Sequence, residues 1–445
     1  MALPAISIQL SVSSVYATIA RPGEYSIVIP SDHIPSPNFA THMTIIVNDV
    51  AVAFSSGSRM YVFVDMNKPH GMEAIRVCDV GIQTKDFAMD PSHDFLALLE
   101  MFNSGSPAAA AGPVRIHLRK FSAPETSHPA ATSAILEAPA LGAPILENSL
   151  QVADDAVALF VTEMARSIFI WNWVTGQLLV RMRAADVAPH TRSFLITLAG
   201  DGGQIKLYEV KDLPDSSSAA LTATLHLPST LPGREIADLR VTTGPWVSHI
   251  PEGAPFGVDN CRRIYVFTLS FAEHEPYCFV MNGKDLLETM WIVPQLRQGP
   301  DYALEWNEWI YEMSRFLMLS IEFDWSRYVH GQRFIARDPL GTARLFDFGT
   351  SRATPPDIEG SFVQCVPSNI NVSNVFDVEG GVIASSLQYS CIPLDFGDIS
   401  NSYNGFMLDE SRVLAMRERL DPDTGLEGNL VDVFDIGLSR RTVTP

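Results

Sequence analysis

Two stretches of this 445-residue chain place oxygen donors or glycines at spacings that chemistry uses. Asp421-Pro-Asp423-Thr-Gly425-Leu-Glu427 alternates carboxylates around a glycine, as calcium loops do, because a hard cation needs several oxygens converging from a sharp turn. The third acidic residue such a loop carries before its glycine is missing, and the segment stands where a hairpin turn is expected. Asp421, Asp423 and Glu427 are therefore a weak metal candidate, and no metal or other cofactor is expected. Gly200-Asp201-Gly202-Gly203 leads into a strand, whereas a phosphate cradle opens a helix, so it reads as a turn. No G-x-S-x-G or H-E-x-x-H occurs, and the eleven histidines are scattered. His249 and His330 accordingly read as structural residues, and no catalytic residue is assigned. The five cysteines (Cys78, Cys261, Cys278, Cys365, Cys391) are widely spaced and lack a C-x-x-C, which fits reduced core thiols in the cytoplasm or nucleus.

Aromatic residues are more informative. Trp291, Trp306, Trp309 and Trp325 fall close together with Arg327 and Tyr328. Trp, Tyr and Arg dominate binding hot spots, because each buries much surface and keeps a polar handle. These six residues are the candidate partner-binding set, against the alternative that they fill the interior. A formal net charge of −20 opposes nucleic-acid binding, which rests on clustered Lys and Arg. Between Asp377 and Asp435 twelve Asp/Glu face three Arg, a stretch where a basic partner could dock or which simply stays solvated. No apolar run approaches the roughly 20 residues of a spanning helix. The start lacks a basic n-region, so neither a signal peptide nor a membrane association is expected.

The elements that must hold these residues are strands. Seven times a short alternating apolar strand ends at or near an aromatic residue, usually followed by an acid or amide. Ile168 to Asn172, Ile205 to Glu209, Ala343 to Asp347 and Val431 to Asp435 are the plainest copies; Met60 to Asp65, Val114 to Leu118 and Ile264 to Thr268 are weaker. Ahead of several lies an apolar strand, an Asp turn and a second strand: Phe87 to Leu98, Leu150 to Phe160, Phe406 to Met416 and Ile45 to Phe54. Asp and Asn suit those turns because their side chains bond the backbone two residues on. A hairpin at Val174-Thr175-Gly176 then leads to a fourth strand, Gln177 to Met182. A repeated small sheet cannot bury its own apolar faces, so the pattern predicts an array.

Four antiparallel strands with an aromatic-acidic close resemble a blade of the WD-repeat family. Phe194 to Glu209 and Arg337 to Asp347 look like that family's second strand, turn and third strand. There is no Trp-Asp pair, Trp171-Asn172 being nearest, and no Gly-His before the first strand. The pattern over residues 40 to 436 is also similar to the propeller portion of fungal F-box proteins, through Trp171-Asn172-Trp173-Val-Thr-Gly176, Asp409-Glu-Ser-Arg-Val-Leu and Val433-Phe434-Asp435. That resemblance implies selection of proteins for ubiquitin transfer, with ubiquitin-ligase components as partners. Residues 1–45, with Pro4, Pro22, Pro30, Pro35 and Pro37, show no F-box helix pattern.

The expectation is thus an all-β fold, a single irregular β-propeller of seven four-stranded blades, with six to eight compatible with the ragged spacing. Steps between matching positions 61, 115, 168, 206, 265, 344 and 431 run from 38 to 87 residues, where about 40–45 is usual. Low-complexity insertions near 104–147, 211–220 and 349–360 absorb part of the surplus, and 283–293 and 305–315 could form short helices. Residues 1–445 read as one domain, with strictly alternating Ile6 to Val12, within 1–16, as a strand that closes the ring beside the last blade. The function expected is a non-catalytic protein-interaction scaffold or adaptor. A ligase substrate receptor, and a propeller hydrolase or lyase with a site at the channel mouth, are the alternatives.

Overall fold

A computed structural model of the chain describes residues 5–11, 14–18, 25–30, 42–47, 50–55, 60–65, 75–100, 113–138, 147–162, 167–183, 186–190, 193–200, 202–212, 217–246, 262–296, 302–319, 328–338, 340–349, 362–364, 367–394, 403, 405–408, 412–420 and 427–435. Three N-terminal strands come first: β1 (Ala5–Ser11), β2 (Ser14–Thr18) and β3 (Tyr25–Pro30). The first complete sheet is β4 (His42–Val47), β5 (Val50–Ser55), β6 (Met60–Asp65) and β7 (Ile75–Asp79). The second is β8 (Thr84–Asp90), β9 (Phe95–Glu100), β10 (Val114–Lys120) and β11 (Ile135–Ala138). The third holds β12 (Glu147–Ala153), β13 (Ala156–Thr162), β14 (Ser167–Asn172) and β15 (Leu178–Arg183). The fourth holds β16 (Asp186–His190), β17 (Ser193–Leu198), β18 (Gln204–Asp212) and β19 (Ser217–His226).

The next two sheets are interrupted. The fifth begins with β20 (Ile236–Thr243), β21 (Ile264–Phe271) and β22 (His274–Asn282). Before its last strand the chain inserts helix α1 (Gly283–Leu296), the short β23 (Ala303–Leu304) and helix α2 (Trp306–Met313). β23 joins the edge of the fourth sheet parallel to β19, and β24 (Ser314–Leu317) then completes the fifth. The sixth sheet starts with β25 (Val329–His330), β26 (Arg333–Arg337) and β27 (Ala343–Asp347) and ends with an edge strand β28 (Phe362–Gln364). A separate hairpin, β29 (Ser368–Asn371) with β30 (Val382–Ser385), intervenes before β31 (Tyr389–Pro393) slots between β27 and β28. The long step to the last aromatic strand therefore contains an excursion of two strands and no eighth blade among the described residues.

The seventh sheet joins the two ends of the chain. Its C-terminal strands β32 (Gly405–Leu408), β33 (Arg412–Leu420) and β34 (Glu427–Asp435) are followed in the sheet by β3, β1 and β2. β3 lies antiparallel to β34 from Tyr25 opposite Val433 to Pro30 opposite Gly428, and β1 meets β34 at Ala5 and Ile6. The direct neighbour over most of β34 is thus β3, with β1 beyond it. The opening strands of the sheets, β4, β8, β12, β16, β20, β25 and β32, touch one another in that order, and β32 touches β4. That circle of contacts makes the fold one irregular β-propeller.

Burial explains the strand sequences. A blade is covered on both faces by its neighbours, so a middle strand loses the apolar-polar alternation of a half-exposed sheet. β9 (Phe-Leu-Ala-Leu-Leu-Glu) is buried over its first five residues, and β14 over its four central ones. Each core mixes neighbouring blades: Ala158, Ile168 and Ile170 of the third pack with Phe194 and Ile196 of the fourth.

The aromatic-acidic close also acquires a cause. Asn172 donates from Nδ2 to the Asp155 carboxylate at 2.6 Å and accepts the Thr175 N–H at 2.9 Å, so one amide ties two turns at the same end of a blade. Asp347 does the same work in the sixth sheet, accepting from Arg333 Nε at 2.8 Å and the Gly349 N–H at 2.8 Å. Gly176 closes the hairpin after Asn172 at φ +73, where a side chain would be strained. The expected Asp turn is present at Asp90, which accepts the Ser92 N–H at 3.0 Å, while Asp154 opens the β12–β13 turn at φ 49.

Candidate functional site

The fifth blade carries the insertions, and they build a surface on its outer side. α1 presents Leu286, Thr289 and Val293 inward, at the 3–4-residue spacing of one helix face. α2 starts on a capping box, in which the Glu305 N–H bonds the Glu308 carboxylate at 2.8 Å, and buries Trp309 and Ile310. Thr289 Oγ1 lies 3.6 Å from Met313 Sδ, which brings the middle of α1 against the last turn of α2.

The β29–β30 hairpin reaches across the same blade as a strap. Its tip buries Val372, Val375 and Phe376 in the core that also holds Phe271, Phe279, Phe316 and Trp309. Backbone bonds from Leu231 N to Val375 O (2.8 Å) and from Asp377 N to Ser229 O (2.9 Å) fasten that tip to the connection between the fourth and fifth blades. At its base Arg315 donates to Leu387 O and to Ser368 Oγ, each at 2.6 Å, with its guanidinium 5.4 Å over the Tyr389 ring. The Arg315 side chain is fully buried, and that burial lowers its pKa, opposed by Tyr389.

The six aromatic and basic candidates separate on this scaffold. Trp309 is 1% exposed, donates to His226 O at 3.1 Å and packs 6.1 Å from Phe279; it holds the insertion to the fourth and fifth blades. Tyr328 is buried in the core shared by the fifth, sixth and seventh sheets, and Trp306 is partly buried against the core under α2. Trp291 stands out at 67% exposure, beside Ile292 at 48%. Trp325 and Arg327 lie outside the described residues. Of the weak metal set, Asp421 and Asp423 also lie outside them, and Glu427 opens β34. Among the described residues no group of three or more His, Cys, Asp or Glu is placed to hold a metal ion.

Tyr311, which the sequence places in the same aromatic-rich segment, is 44% exposed, and Val382, which sequence reasoning did not single out, is 40% exposed. With Trp291, Ile292 and Met318 they are five of the six large hydrophobic side chains exposed among the described residues; Leu340, in a turn of the sixth blade, is the other. A scattered apolar side chain is ordinary on a protein surface, whereas here three fall on the α1–α2 insertion, with Met318 just after β24 and Val382 on the strap. Composition alone could have placed the aromatics in this segment but not on its outer face, because helix phase decides that.

At the inner end of the fifth blade a second arrangement is structural. Arg263 is 2% exposed, donates from Nε to Thr243 Oγ1 at 2.9 Å and from Nη2 to Gly244 O, and lies between the rings of Trp246 and Tyr265. Burial lowers its pKa, which Tyr265 partly offsets, and burial raises that of Tyr265. Trp246 in turn donates to Asp154 of the third blade at 2.8 Å. Gly244 lies so close to His330 that a Cβ there would come 2.9 Å from the His330 Cα, so the fifth and sixth blades meet backbone to backbone.

No protein-family profile matches the chain, and no curated protein matches it. Among solved structures it is similar to the β-propeller domain of the Trilobed protease from Pyrococcus furiosus, at TM-score 0.39 and 9% identity, over 92% of this chain and 98% of that one. Hsv2p of Kluyveromyces lactis gives TM-score 0.37 and 11% identity, over 89% and 100% of the two chains. The WD40 domain of SCAP from fission yeast gives 0.35 and 11%, over 87% and 82%.

Proposed function

We propose that this chain is a non-catalytic interaction scaffold, one propeller domain whose rigid ring holds an inserted surface on the fifth blade for a protein partner. The supporting observation is the gathering of Trp291, Ile292 and Tyr311 on the outside of helices whose inner faces are locked into the ring. A rigid aromatic on a fixed helix loses little freedom on binding, which is why such residues anchor interfaces. The wide cysteine spacing, with no C-x-x-C, supports a reducing setting such as the cytoplasm or nucleus for this role.

Affinity purification of the tagged full chain with quantitative mass spectrometry tests the reading. A reproducible partner set is expected, and the triple substitution Trp291→Ala, Ile292→Ala, Tyr311→Ala should deplete at least one member about tenfold or more, as loss of hot-spot contacts does. Enrichment of nothing above the tag control would refute the scaffold role. Recovery of a ubiquitin-ligase adaptor would specify that role as substrate reception.

A further inference from the structure

We infer that the outer surface of the fifth blade receives a lysine- and arginine-rich amphipathic segment of a partner protein; this deepens the scaffold reading and rests on it. Within the described parts of the insertion and the strap, residues 283–296, 302–319 and 367–388, there are seven Asp/Glu (Asp285, Glu288, Glu305, Glu308, Glu312, Asp377, Glu379) against two bases, Lys284 and Arg315. Arg315 is fully buried under the strap and adds nothing to the surface. Lys284 is already engaged, 3.5 Å from Glu288 on the next turn of α1. The surface that holds five of the six exposed large hydrophobic side chains therefore has excess negative charge and one spent cation.

Complementarity then fixes the occupant. Apolar side chains set among carboxylates match a helix or extended segment that offers Leu or Ile on one side and Lys or Arg on the other. The aromatic faces of Trp291 and Tyr311 add to this preference, since a ring quadrupole attracts ammonium and guanidinium groups. An anionic lipid surface or a nucleic acid would be repelled by the same charges.

The test uses the full chain and a fluorescein-labelled synthetic peptide of leucine and lysine in amphipathic helical order, read by fluorescence anisotropy. Two control peptides replace every lysine by glutamate or every leucine by serine. Saturable binding of the Leu/Lys peptide is expected, weakened about tenfold or more by Trp291→Ala with Ile292→Ala and a few fold by Glu288→Gln with Glu312→Gln. Raising the salt should weaken the wild-type complex more than the glutamine variant. Thermal melts of each variant confirm that the ring is intact. Absent binding, equal binding to the Trp291→Ala, Ile292→Ala protein, or equal binding of the glutamate peptide would overturn the inference, as would Trp291-dependent sedimentation with phosphatidylserine vesicles. If the peptide fails while the purification still yields partners sensitive to the triple substitution, the scaffold reading stands and only the partner's chemistry is wrong.

Discussion

Replacing Phe376 by alanine should open the strap while leaving the ring closed. Phe376 is 1% exposed, with its ring edge-on to Phe271 at 5.8 Å and to Phe316 at 6.5 Å. Truncating a buried phenylalanine costs about 3–5 kcal/mol, since the transfer energy and the cavity add. The tip keeps buried Val372 and Val375 and its backbone bonds to 229–231, but Phe376 packs within that contact, so the cost falls on its docking. At about 1.4 kcal/mol per factor of ten, its open population should rise by roughly two to three and a half powers of ten. Hydrogen exchange with mass spectrometry reads this directly, comparing a peptide over 368–385 with one over 156–172 in the third blade. Protection is expected to collapse in the strap and to change little in the third blade, the behaviour of a separately opening unit. Equal losses in both peptides, or none in either, would refute the idea that Phe376 packing pins an independent strap.

Four other substitutions probe the packing and its charges. Trp309→Ala should cost about 3–5 kcal/mol of stability in denaturant unfolding, whereas Trp291→Ala should stay within about 0.5 kcal/mol; comparable losses would mean that the two tryptophans are not divided between core and surface. Asp86, buried in β8, accepts the Leu150 N–H at 2.9 Å and Asn148 Nδ2 at 2.7 Å from β12, so Asp86→Ala strands donors at the junction of the second and third blades. About 1–3 kcal/mol per stranded donor is expected, and an unchanged unfolding midpoint would contradict that bridge. Asp338 feels desolvation that would raise its pKa, but bonds from Arg344 and from the Thr342 and Leu340 N–H groups outweigh it and hold the carboxyl below its usual value. Its contribution is therefore complete above the unfolded pKa of about 3.9 and lost as the pH falls through the lower folded value. Melting curves of wild type and Asp338→Asn should converge on acidification, and a gap that widens would reverse the sign.

Much of the blade was legible because its signals are local. Trp171-Asn172 and Phe346-Asp347 announce strand ends, and the same amide and carboxylate then cap the following turns. Short helices near Gly283 and Glu305 were likewise readable from mixed periodicity. The strap was not. Its buried residues Val372, Val375 and Phe376 sit in a turn with neither a period of two nor of 3.6, and their partners lie far off in the chain, at 229–231, Phe271 and Phe316. Arg315 and Arg263 were equally silent, since nothing in their immediate sequence shows that a guanidinium will be buried against carbonyls and rings. The tryptophan-rich segment lay between these cases: its residues were identifiable, but the division between Trp309 inside and Trp291 outside depends on how α1 and α2 seat against β19.

A ring closed by the chain's own two ends is what fixes every blade, and with it the surface on the fifth. Ile27 of β3 and Val431 of β34 are Cα partners in the seventh sheet. Antiparallel partners lie about 4.5–5.5 Å apart, within disulfide reach. Introducing Ile27→Cys and Val431→Cys, oxidising the folded protein and mapping the linked peptides by mass spectrometry should give one crosslink between residues 27 and 431 in high yield. Two separately alkylated cysteines with no linked peptide, in a protein that still melts cooperatively, would contradict the closed ring.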